Sequence, residues 1–133
     1  MQFNVSADYA VRIILYLDKK QNPAPAKDIV ETTKIPDKYA RKILTKLKNS
    51  DILSAVPGKK GGFQLKRNME EIMLNEVLRA VDGTKRKKEL TAFQTGSDRY
   101  GSNIRKIRNY CRGEEEKLEK ESWNISIGEI IRK

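Results

Sequence analysis

Apolar residues recur at helical spacing almost from the start of the chain. Tyr9, Ala10, Ile13, Ile14 and Leu17 fall on one wide face, which predicts a first helix capped by Ser6 and running to about Lys20. The run Gln21-Asn22-Pro23-Ala24-Pro25 ends it, because two prolines in three residues resist helix. A short helix over about 27–32 follows, with Ile29 and Val30 as its inward positions. Thr33-Lys34-Ile35 is a tight connection into a third helix, for which Pro36 suits the first position. There Tyr39, Ile43, Leu44 and Leu47 form a buried stripe, while Lys38, Arg41, Lys42 and Thr45 fall on the opposite side. Two helices joined by three or four residues have the spacing of a helix-turn-helix.

After Asp51 the period changes. Ile52 to Val56 is strand-like, Pro57-Gly58-Lys59-Lys60-Gly61-Gly62 is a turn, and Phe63-Gln64-Leu65 is a second strand. A basic helix followed at once by a hairpin with two lysines at its tip is the pattern of a winged helix-turn-helix, mainly α with a small β-hairpin wing. An apolar helix over about Glu70 to Val81 comes next, with Ile72, Val77, Leu78 and Val81 facing inward and Asp82-Gly83 as its stop. The basic, polar stretch 84–102 has the composition of a mobile loop and is a candidate effector region. From about Asn103 a long helix is predicted, with Ile104, Ile107, Cys111 and Leu118 along one exposed seam that asks for a second copy. Glu114 and Glu121 face that seam and make it too poor for a stand-alone coiled coil. Ser126 and Glu129 fit a capping box for a terminal turn. The chain thus divides into a DNA-binding-type unit at 1–83, a basic loop at 84–102, and a dimerisation helix with a C-terminal segment at 103–133.

Charge narrows the partner. The 133 residues carry a net charge of +10, and residues 34–67 hold ten Lys/Arg against two Asp. So local a concentration favours an anionic partner, with double-stranded DNA before a membrane surface. No apolar run approaches the roughly 18 residues of a membrane span, and Arg12 breaks the longest one. A single cysteine cannot form an internal disulfide, which suits a cytoplasmic protein. Histidine is absent, which removes the commonest general base and the His-containing zinc sites. No nucleophile–base pair or metal-ligand cluster is visible, so the chain is not expected to be an enzyme or to carry a metal or cofactor.

The candidate DNA contacts are Lys38, Arg41, Lys42 and Thr45 on the basic helix, and Lys59, Lys60 and Gly61 in the wing turn. Arginine paired with guanine discriminates best, by roughly 1–3 kcal/mol. Tyr39 lies on the apolar side and is expected in the core. The wing is not a phosphate-binding P-loop, because Lys60 is followed by Gly-Gly and a strand instead of Ser or Thr and a helix. Cys111 has two readings: a small buried hydrophobe, or a redox-sensing thiol whose pKa is lowered by Arg108 and Arg112.

In this order the elements resemble the Rrf2 family of bacterial winged-helix transcription regulators. The resemblance is carried by SADYAVRIILYL at 6–17, IPDKYARKILTKLKNSDIL at 35–53, GKKGGFQL at 58–65, LNEVLRAVDG at 74–83 and ISIGEI at 125–130. It implies a homodimer whose long C-terminal helices cross between subunits and that reads a palindromic operator. A repressor is expected, with a small-molecule or protein effector as a further partner. Two positions depart from the pattern. Many members have an arginine before the wing glycine that enters the minor groove; here that residue is Pro57. Some members hold an iron–sulfur cluster on three closely spaced cysteines; here there is only Cys111. A regulator without a cluster is therefore expected. A winged-helix module that contacts protein or RNA, with no operator, is the alternative, and a two-fold-symmetric footprint on DNA separates the two.

Overall fold

Helix α1 (Val5–Lys20) is buried on every side from Ala7 to Leu17. The computed structural model describes residues 3–81, 101–117 and 124–132, and of 111–117 the helical backbone alone. Within it α1 touches α2 (Ala26–Thr33), α3 (Asp37–Asn49), α4 (Leu74–Val81), α5 (Gly101–Lys117) and strand β2 (Gly62–Leu65). One wide apolar face was expected of α1; enclosure by five neighbours buries the other faces too. Asp8 and Arg12, one turn apart, are consequently both fully buried, and the Arg12 Nε–H donates to Asp8 Oδ1. The arginine that interrupts the apolar run is thus a core residue, neutralised within its own helix. Asn4, not Ser6, caps the helix: its Oδ1 accepts from the Ala7 N–H at 3.0 Å.

In α3 the inward positions are Ala40, Ile43, Leu44 and Leu47, the i, i+3, i+4, i+7 set of one helix face. Burying the three larger side chains contributes about 1.5–3 kcal/mol each. Pro36 stands one residue before the helix, which begins at Asp37. The turn between α2 and α3 is Lys34-Ile35-Pro36. Lys34 takes a left-handed φ of 62° and donates its N–H to Val30 O, while Ile35 is fully buried beneath it. In α2 Ile29 is buried, whereas Val30 is only partly so.

Strands β1 (Leu53–Val56) and β2 pair antiparallel, with Leu53 opposite Leu65 and Val56 opposite Gly62. The proline-rich connection after α1 adds a third edge: Ala24 and Phe63 exchange both backbone hydrogen bonds, at 2.9 and 2.8 Å. That approach requires glycine at 62. Its φ is +144°, and a Cβ there would lie 2.2 Å from Ala24 O.

The continuous helix expected over 70–81 is broken. A 3₁₀ turn (Met69–Glu71) is followed by extended residues, and α4 starts only at Leu74. The returning C-terminal segment makes the break. Leu74 N–H donates to Ile125 O, Ile127 N–H donates to Ile72 O, and Met73 bridges Ser126. Glu76 Oε2 then accepts the Met73 N–H at 3.0 Å and caps α4. At α6 (Ile127–Arg132) the Ser126 hydroxyl accepts the Glu129 N–H at 3.0 Å, the Ser half of the expected capping box. Lys106 Nζ donates to Ile131 O and closes the other end.

Ile104 and Ile107 are where the seam expectation needs correcting. Both are fully buried in the core formed with α1 and the α6 residues Ile127 and Ile130. They are not an exposed stripe, because the segment beyond residue 100 completes the same core that residues 1–81 begin. Leu118 lies outside the described residues, and so do Asp82-Gly83 and the basic stretch to residue 100. Cys111 lies in α5 with only its backbone described.

Arg67, just after the wing, fastens several of these elements together. Its Nη1 and Nη2 donate to the two carboxylate oxygens of Glu76 at 3.1 and 2.9 Å, and Nη1 also donates to Glu71 O at 3.0 Å. The hydrogen bonds from Arg67 hold the Glu76 carboxyl below the usual carboxylate range, partial burial opposing them. A carboxyl depressed in the folded state stabilises above its unfolded pKa and loses that stabilisation as pH falls through its folded value. Glu76→Gln should therefore cost about 1 kcal/mol near neutral pH. The difference from the unmodified chain should shrink as pH falls below the unfolded carboxylate value and close once the folded Glu76 is protonated, as denaturant titrations would show. A gap that stays constant to acid pH would show that the ion pair adds nothing.

Candidate nucleic-acid interface

The first turn of α3, Asp37 to Tyr39, is exposed, and the first buried residue of the helix is Ala40. Lys38, Arg41, Lys42 and Thr45 are all exposed, as the pattern predicted, and form one basic face. Thr45 Oγ1 donates back to Arg41 O at 3.1 Å, so its hydroxyl hydrogen is engaged within the helix. Arg41 is engaged as well: its Nε lies 2.9 and 3.0 Å from the two carboxylate oxygens of Asp37.

Tyr39 is the residue that periodicity misplaced. It was expected in the core, four residues before Ile43, yet it is 46% exposed. Its ring leans on the buried Tyr9, with centroids 6.1 Å apart and planes at 58°. Ala40 fills the inward position, and Tyr39 lies exposed on the outward face, which spacing alone did not reveal. Tyr9 itself is 7% exposed and packs inside.

The wing turn presents Lys59 and Lys60 to solvent. Gly58 turns the chain at a φ of +101°. Gly61 needs correcting as a contact residue. It is buried, its N–H donates to Gly58 O at 3.0 Å, and a Cβ would lie 1.9 Å from Val56 O. Its role is to let the turn close, and its amide is not available to a phosphate. Pro57 is exposed at the position where an arginine would stand. The positive charge of the wing therefore comes from Lys59 and Lys60, which suit phosphate contact better than reading a narrow groove.

These elements define a winged helix-turn-helix of the transcription-regulator type. The chain belongs to the Rrf2 family: the family profile, described as an iron-dependent transcriptional regulator, matches residues 3–133. Among relatives, the HTH-type transcriptional regulator IscR of Photorhabdus laumondii is 32% identical over 84 residues, which is 62% of this chain and 51% of that protein. The HTH-type transcriptional regulator CymR of Bacillus subtilis is 24% identical over 85 residues, 62% of each chain. The chain spans little more than half the length of several of the curated relatives it matches. The solved structure of B. subtilis CymR, a global cysteine regulator, has the same fold, with a TM-score of 0.63 at 19% identity over 99% of this chain and 97% of that one. The relatives are transcriptional regulators, not enzymes. No helix among the described residues is long and apolar enough to cross a membrane.

The family description raises iron, and the cysteines present do not fit an iron–sulfur cluster. One cysteine and no histidine cannot supply the thiolates of a family-type cluster. Among the described residues no three His, Cys, Asp or Glu side chains converge. The purified protein should accordingly bind DNA equally well before and after treatment with an iron chelator. Stoichiometric iron and sulfide that disappear in Cys111→Ser, with loss of binding, would contradict this.

Proposed function

We propose that the chain is a sequence-specific DNA-binding regulator that occupies a palindromic operator as a homodimer and acts there as a repressor. The observation that carries this reading is the outward face of α3. Lys38, Tyr39, Arg41, Lys42 and Thr45 are exposed together on the second helix of a helix-turn-helix, followed directly by a wing with two exposed lysines. In such a fold the start of the recognition helix meets base edges in the major groove and the wing lies along the backbone. A single copy reaches only a few base pairs; two copies in fixed geometry act on a palindrome at high effective concentration. Family membership supports the dimer, and so does α5, a helix of 17 residues whose first two turns already complete the core.

Arg41 reads and the wing lysines hold. Arg41→Ala should narrow the gap between operator and random DNA. Lys59→Ala with Lys60→Ala should weaken both alike and lower the salt slope by about one per lost phosphate contact. Equal effects of all three substitutions on the two DNAs would contradict this division.

The reading as a whole is tested by selecting bound fragments from genomic DNA with the purified protein, then footprinting them. A site with two-fold symmetry, protected by a species that sediments at twice 15.3 kDa, is expected. A monomer that protects a symmetric site would overturn the dimer. Failure to enrich any sequence, with binding to protein or RNA instead, would overturn the operator.

A further inference from the structure

We propose that Asp37 is a specificity-determining positioning residue: it fixes the plane of the Arg41 guanidinium so that the outer edge of that group meets a base. This rests on the DNA-reading function proposed above. Asp37 is the only acid on α3, in company with Lys38, Arg41, Lys42, Lys46 and Lys48. On a surface that meets phosphates, one carboxylate works against affinity. Its placement gives it another use. Asp37 stands on the first turn and Arg41 one turn later, and both carboxylate oxygens lie within 3.0 Å of Arg41 Nε. A guanidinium carries its N–H groups in one plane. With the Nε–H directed to Asp37, the Nη1 and Nη2 edge is the part left to face outward. That edge is the pair of donors that matches guanine O6 and N7.

An unrestrained arginine on this exposed face samples many rotamers, and its charge serves phosphates as well as bases. The carboxylate narrows that choice to the fork geometry which distinguishes guanine. It also offsets part of the charge that would attract any DNA. Both effects raise discrimination over affinity. A purely helix-stabilising role is the competing account, since an acid in the first turn suits the helix dipole and an i,i+4 pair. The two side chains are 60% and 55% exposed, where such a pair adds little stability.

A double-substitution cycle distinguishes the two. Operator DNA is first selected with the unmodified protein. Affinities for that operator and for random DNA are then measured for the unmodified chain, Asp37→Asn, Arg41→Ala and the double variant, with helical signal and melting recorded for each. Asp37→Asn should bind random DNA more tightly and lower the operator-to-random ratio on the order of fivefold. In the Arg41→Ala background the same substitution should leave that ratio unchanged. An equal loss of ratio in both backgrounds would mean that Asp37 touches a base directly, and an unchanged ratio in both would leave only the helix pair; either result overturns the proposal. Failure of the unmodified protein to select any operator would instead overturn the DNA-reading function on which the proposal rests.

Discussion

The complete enclosure of α1 is the constraint on which the other elements depend. A helix buried on all sides from Ala7 to Leu17 needs partners all round, and no local segment can supply them. The helix-turn-helix covers part of it, α4 and β2 cover more, and α5 closes what remains. The Asp8–Arg12 pair in this helix carries a large desolvation cost. Removing either partner alone would leave a charge in the core.

From that anchoring follows the outward face. Because Ala40, Ile43, Leu44 and Leu47 of α3 are buried in the core that the helix shares with α1, α2 and α4, the rotation of α3 is fixed, and Lys38, Tyr39, Arg41, Lys42 and Thr45 point away. The wing is held by a comparable device. Its second strand exchanges hydrogen bonds with Ala24, in the loop that leaves α1, and Gly62 permits the close approach. Arg67 then ties the end of the wing to Glu71 and to the start of α4. Recognition helix and wing are thus both referred to α1, so their mutual geometry does not depend on the turn between them alone. A surface that must match a rigid groove benefits from such a frame, because rotational freedom between the two elements would have to be lost on binding.

The sequence by itself determined the elements whose signals are local. The 3.6-residue period of α1 and α3, the prolines and glycines that separate elements, and the lysines on the wing turn need only neighbours along the chain. The basic residues of α3 were legible for the same reason, since exposure there follows from period and charge. Tertiary structure decided whatever depended on residues far apart in sequence. The helix expected from Glu70 begins only at Leu74 because Ile72 and Leu74 find backbone partners at Ile127 and Ile125, more than fifty residues on. Ile104 and Ile107 looked like a seam for a second copy, but an apolar stripe does not say whose surface will cover it; here α1 and α6 of the same chain do. Tyr39 is outside and Arg12 inside for one reason: burial depends on which elements stand opposite a residue, and periodicity along one helix carries no information about what faces it.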